Sequence, residues 1–191
     1  MPGRQAKILT PQIERRMLGW AGRGDQPNRD RAIVLLSTKA GLRASEIANL
    51  EWSMVLSARG KIGTTIELPD VAAKRGSGRR VPIHPDLRKA LTVLLSTSED
   101  RGPVIRSSRG GHFRPNSIVN WFVTLFIALG VEGCSSHSGR RTFITRAARS
   151  VHKAGGSLRD VQLLAGHQSI ETTQRYIDGD TDAQRRLVNL I

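Results

Sequence analysis

Apolar residues recur along most of the chain at helical spacing, and proline, glycine or a short polar residue interrupts them at intervals. Thr10-Pro11 reads as a helix N-cap with proline in the first helical position, where the missing N–H is no loss. The helix runs to about Ala21, and Gly22-Arg23-Gly24 ends it. Asp30 to Ala40 forms a second helix with Ile33, Val34 and Leu36 inward and Gly41 as its stop. Ser45 is expected to cap a short third helix carrying Ile47 and Leu50.

Between Trp52 and Ile83 the texture changes. Ser53-Met54-Val55-Leu56, Thr64 to Leu68 and Arg79 to Ile83 are short, rich in β-branched residues and separated by glycine. They predict a small antiparallel sheet, with Pro82 on an edge or at a strand end. Helical texture resumes from Pro85 through Leu95. A long polar loop spans Ser96 to Arg114. Pro115 to Leu129 is a strongly apolar helix closed by Gly130. Ser138 to Arg149, Leu158 to Leu164 and Ser169 to Ile177 read as three more helices, and Thr181 caps a last one, Asp182 to Leu190. The sum is a mainly α fold with one small antiparallel sheet, an α+β chain.

Composition narrows what such a domain can do. Of 191 residues, 30 are Lys or Arg and 16 are Asp or Glu, a formal net charge of +14. The excess is spread over the chain, which favours a polyanionic partner such as nucleic acid. With one Tyr, three Trp and four Phe, there are too few aromatics for a base-stacking RNA platform. A single cysteine, Cys134, excludes an internal disulfide and a cysteine-based zinc site. His84, His112 and His152 match no metal spacing and read as surface residues. No secretory signal opens the chain, and the apolar runs are too short to span a bilayer. The expectation is a cytoplasmic protein without a membrane partner.

Three segments carry candidate chemistry. Gly41-Leu42-Arg43-Ala44-Ser45-Glu46 sets an arginine between a helix stop and a helix cap. His137 and Arg140 stand three apart at a helix start, on one face, where an anion is favoured. Leu164-Ala165-Gly166-His167 sets a histidine on a tight turn, with Tyr176 along the next helix. Guanidinium groups stabilise the extra negative charge of a phosphorane-like transition state. A tyrosine can be the covalent nucleophile. A phenol titrates near 10, so at neutral pH it needs a cationic site or a base beside it. A lysine on a flexible hairpin, such as Lys74, can protonate the leaving alkoxide. Arg75 is a rival for that role. Such a toolkit cleaves phosphodiesters with no metal and no nucleotide cofactor.

These segments, in this order, resemble the catalytic domain of the tyrosine recombinases, the phage-integrase family. Gly-Leu-Arg-x-Ser-Glu-Ile-x-x-Leu is met from Gly41 to Leu50. Lys followed by Arg-x-Val-Pro is met by Lys74 and the run Arg79-Arg80-Val81-Pro82. His-x-x-Arg is met by His137 and Arg140, and the Gly-His turn followed by Ser-Ile-x-Thr-Thr-x-x-Tyr is met up to Tyr176. The resemblance covers nearly the whole chain from about Thr10. It implies that Arg43 and Arg140 clamp the scissile phosphate and that Tyr176 attacks it to form a 3′-phosphotyrosyl link. Lys74 is then the general acid for the 5′-hydroxyl, and His137 and His167 are acid/base and hydrogen-bonding partners. Glu46 falls where the family has an acidic supporting residue. Arg75, Arg79, Arg80 and Arg141 are expected to contact DNA.

The implied function is site-specific recombination of duplex DNA. A type IB topoisomerase-like activity and a non-catalytic DNA-binding accessory factor are the alternatives. The implied partners are duplex DNA, further copies of the chain (dimer to tetramer) on paired sites, and accessory DNA-bending or core-binding factors. The implied location is the nucleoid. Three positions depart from the family pattern: Gly139 replaces a common leucine, Arg141 replaces a common histidine and, a milder change, Ala165 replaces a common leucine before Gly166-His167. No separate N-terminal core-binding domain is expected within residues 1–191. That is the size of the small fimbrial-type DNA invertases, or of an excised catalytic domain. Residues 182–191 are expected to dock into a neighbouring protomer.

Overall fold

The computed structural model describes residues 6–70, 78–176, 188–189 and 191. The chain divides into two compact units, Met1–Phe143 and Ile144–Ile191. The first unit holds α1 (Pro11–Ala21), α2 (Pro27–Lys39), α3 (Ala44–Ala48), β1 (Thr65–Leu68), β2 (Arg79–Pro82), α4 (Pro85–Ser96), α5 (Pro115–Ala128) and the start of α6 (Ser138–Ser150). Helices α1, α3 and α5 pack around one core, and α4 lies along α2. Met17, Ile33, Leu36, Ile47, Leu50, Trp52, Leu87, Leu91 and Phe122 are fully buried there. The second unit holds the rest of α6, a 3-10 turn at Val151–Ala154, α7 (Leu158–Ala165) and α8 (Ile170–Gln174). Helix α7 packs against α8. Among the described residues, no helix is long and apolar enough to cross a membrane.

Local chemistry explains most boundaries. Thr10 accepts from the Ile13 N–H ahead of Pro11, as its position suggested. Helix α2 begins earlier than Asp30, because Pro27 already supplies a suitable first residue. His84 caps α4 by accepting from the Asp86 N–H. The expected cap at Ser45 is corrected. Arg43, with extended φ and ψ, precedes α3, and the Glu46 carboxylate reaches back to its N–H. That carboxylate does the work of a capping side chain, so Ser45 falls inside the helix.

The sheet is smaller than expected. β1 and β2 pair antiparallel, from Thr65 opposite Pro82 to Leu68 opposite Arg79. Ser53-Met54-Val55-Leu56 is not a strand: Trp52–Met54 is a 3-10 turn, and Leu56 makes a single bridge to Ile62. Trp52 and Val55 are both buried while Ser53 is exposed. Apolar residues three apart suit three residues per turn, not strand alternation. The loop after α4 is also more than a surface connection. Gly102 O accepts from the Trp52 N–H, the Val104 N–H donates to Leu50 O, and Val104 and Ile105 join the core.

Candidate active site

Glu46 is the centre of the first unit's charged cluster. Its side chain is fully buried, and each oxygen accepts twice. Oε1 takes Nη1 of Arg43 and Nη1 of Arg79, both at 2.8 Å. Oε2 takes the Arg43 N–H at 2.8 Å and Nη2 of Arg79 at 2.9 Å. Burial alone pushes this carboxyl up. The Arg79 fork, the Arg43 N–H and the charge of Arg140 outweigh it and bring it down to about 2. Four donors on one desolvated carboxylate fix its plane and, through it, the Arg43 guanidinium. The Arg43 side chain keeps 22% of its surface exposed, so its fork is within reach of a ligand.

Arg140 is pinned at the same turn. It is buried near the start of α6 and donates from Nη1 to Gly41 O at 2.6 Å. Gly41 has φ of +63°, and a Cβ there would run into the Phe143 ring. One turn therefore orients two arginines, Arg140 through the Gly41 carbonyl and Arg43 two residues on. Gly41→Ala should cost about 1–2 kcal/mol from the left-handed backbone alone. In a chain this long that lowers the melting temperature by roughly 2–8 °C. An unchanged thermal melt would show that the turn relaxes freely.

Gly139 has a packing reason. A Cβ there would collide with Ser37 of α2, so α6 approaches α2 at a point where only hydrogen fits. The local helix cost of about 1 kcal/mol is the condition for bringing Arg140 in. Farther along α6, Thr142 accepts from the Leu9 N–H at 2.7 Å, which ties the helix to the segment before α1. His137 lies just before α6 and is exposed, unlike Arg140. Arg141 is half-buried.

In the second unit, His167 and Tyr176 are brought together. Their rings stack at 5.5 Å between centroids with 22° between planes. His167 Nδ1 and Thr173 Oγ1 share a hydrogen bond of 2.9 Å. The Gln162 amide donates to His167 O at 2.9 Å, and the His167 N–H returns to Gln162 O. The histidine is thus held at its ring by Thr173, from the Ser-Ile-x-Thr-Thr motif, and at its backbone by Gln162, which no local pattern marks. Thr173 is fully buried.

Of the residues expected to contact DNA, Arg80 is on the surface, its side chain 78% exposed beside Glu67. Arg79, by contrast, has a side chain 4% exposed that forks onto Glu46, so it faces the interior. Alternation along β2 sends neighbouring side chains to opposite faces, which separates Arg79 from Arg80. Lys74 and Arg75 lie outside the described residues, as does nearly all of 182–191. Among the described residues, no three His, Cys, Asp or Glu side chains converge as metal ligands would.

The family model described as phage integrase family matches residues 7–182. The chain belongs to the phage integrase family. Tyrosine recombinase XerC of Rhodospirillum centenum is 31% identical over 161 residues, covering 81% of this chain and 43% of that protein. Tyrosine recombinase XerC of Myxococcus xanthus is 31% identical over 161 residues, with 78% and 49% covered. The chain spans about half the length of these curated relatives. The crystal structure of XerA recombinase matches with a TM-score of 0.72 at 26% identity, over 100% of this chain and 65% of that one. The Tn1549 transposon integrase, solved with a circular intermediate DNA, gives a TM-score of 0.75 at 17% identity, over 100% and 67%. At that identity the likeness speaks for fold alone. The mainly helical architecture with one two-stranded antiparallel sheet is that of tyrosine recombinase catalytic domains.

Proposed function

We propose that this phage integrase family domain cleaves and rejoins duplex DNA at specific sites through a 3′-phosphotyrosyl intermediate. The observation that carries the reading is the Gly41–Arg43 turn, where Gly41 O and Glu46 anchor two guanidinium groups from separate elements. Paired, preorganised arginines suit the charge that develops on the nonbridging oxygens of a phosphate under attack. In this reading the Tyr176 oxygen attacks phosphorus, a P–O bond to tyrosine forms, and the P–O5′ bond breaks. The phenolic proton leaves to a base, for which His167 and His137 are the candidates. Lys74 gives a proton to the 5′-oxygen. The reverse attack by a 5′-hydroxyl reseals the strand without an added energy source, because the phosphotyrosyl bond retains the energy of the broken one.

Nicked duplexes tiled from the DNA flanking the gene provide the test. A nick just past the cleavage point lets the short 5′-hydroxyl fragment escape, so the covalent adduct accumulates and its 3′ attachment can be mapped. Adduct at one discrete position supports a site-specific strand transferase. Adduct everywhere points to simple relaxation chemistry, and binding without adduct points to an accessory DNA-binding role.

The same reading assigns the chain to cytoplasmic DNA in the nucleoid and to assembly as a dimer or tetramer on paired sites, with accessory DNA-bending or core-binding factors. Residues 182–191 are the segment proposed to couple protomers. Truncation after Asp180 should leave suicide-substrate cleavage within a few-fold of the full chain while reducing paired-site complexes on native gels. Unchanged assembly would remove that role from the segment.

A further inference from the structure

The buried fork of Arg79 has a use beyond neutralising Glu46. We propose that Arg79 is a positioning residue, which sets the orientation of the Arg43 guanidinium through Glu46 and makes no contact with DNA. The proposal rests on the strand-transfer reading above and names how one of its phosphate-binding groups is aimed.

The terminal torsion of a glutamate is broad and nearly two-fold, so a carboxylate held from one side swings easily. Arg43 holds Glu46 from one side, with its N–H on Oε2 and Nη1 on Oε1. Arg79 closes the other side with two parallel bonds of 2.8 and 2.9 Å. A rigid guanidinium fork matches a carboxylate in plane and spacing, which a lysine ammonium cannot do. The anchor is itself fixed: Arg79 opens β2 opposite Leu68, and the adjoining Gly78 N–H donates to Asp70 Oδ1 at 2.8 Å. Without Arg79, the Arg43 guanidinium, already bonded to Oε1 through Nη1, is free to turn its fork onto both carboxylate oxygens. Turning inward to pair with Glu46 would take that fork away from a phosphate. The loss should therefore appear in the chemical step and not in DNA affinity.

The experiment compares wild type, Arg79→Gln, Arg79→Lys and Arg80→Gln. Single-turnover adduct formation is measured on the nicked duplex at saturating protein, alongside affinity for the same duplex over a salt series and a thermal melt. Arg79→Gln should slow adduct formation about 100-fold, the scale of a misplaced catalytic geometry. Its slope of log affinity against log salt should equal that of wild type. Arg79→Lys should recover only part of the rate. Arg80→Gln, at the exposed position, should instead flatten the salt slope with a smaller effect on rate.

A slope that flattens by about 0.9 in Arg79→Gln would make Arg79 a phosphate contact and overturn the proposal. A rate that falls only in step with the folded fraction would make it a plain structural staple. If Arg79→Gln does not fold, Arg79→Lys below its melting temperature decides, full wild-type rate overturning the proposal. No adduct from wild type would sink the strand-transfer reading and this proposal together. A wild-type adduct with unaffected Arg79 variants would sink this proposal alone.

Discussion

Tyr176→Phe should abolish the covalent protein–DNA adduct and leave DNA binding intact. Phenylalanine keeps the aromatic ring, so the stack on His167 at 5.5 Å persists and α8 has no reason to move. What disappears is the phenolic oxygen proposed to bond to phosphorus. When a nucleophile acts in concert with its partners, its removal costs essentially all of their joint effect, on the order of 10⁶ in one well-studied hydrolase. The readout is a denaturing gel of the nicked-duplex reaction beside a native binding gel. Composition makes the chemical assignment unusually clean. The chain contains a single tyrosine, so phosphotyrosine recovered after digestion of the wild-type adduct can come from Tyr176 alone. An adduct formed by Tyr176→Phe, or one that yields phosphoserine or phosphohistidine, would transfer the role of nucleophile elsewhere.

The elements that were legible in sequence are those whose signals are local. Thr10-Pro11, Pro85 and Pro115 announce helix starts because the physics of an N-terminus involves only neighbouring residues. The segments around Arg43, His137–Arg140 and His167–Tyr176 were legible as candidates because each combines a turn or helix boundary with charged or aromatic chemistry. Partners distant in sequence were not legible. Arg79 and Glu46 are 33 residues apart, and nothing in a basic stretch distinguishes a buried arginine from an exposed one except its place in the strand alternation. Gly139 reads as a mild helix defect until Ser37 is found against it. The Trp52–Met54 turn shows the opposite failure. Its β-branched and apolar surroundings suggested a strand, but burial of Trp52 required a tighter local period. Tertiary packing overrode propensity there.

Acidification should expose the stability held in Glu46. The folded carboxyl titrates near 2, against an ordinary value of 4.5. Between those values the unfolded chain takes up a proton that the folded chain refuses. The contribution of Glu46 is therefore complete above about pH 4.5 and is lost as the pH falls toward 2. A shift of this size corresponds to about 3 kcal/mol. Asp30, which burial raises most despite its Arg29 partner, works in the opposite direction. The difference between wild type and Glu46→Gln therefore isolates the Glu46 contribution better than either curve alone. At neutral pH, Glu46→Gln keeps the shape but leaves the Arg79 guanidinium buried beside a neutral amide, a loss of about 3–5 kcal/mol when one partner of a buried pair is removed. Denaturant unfolding from pH 7 to pH 2.5 should show the wild-type and Glu46→Gln curves far apart at neutral pH and converging in acid. A gap that stays constant over that range would mean that Glu46 does not titrate at a displaced value, and that its four donors do less than their geometry indicates.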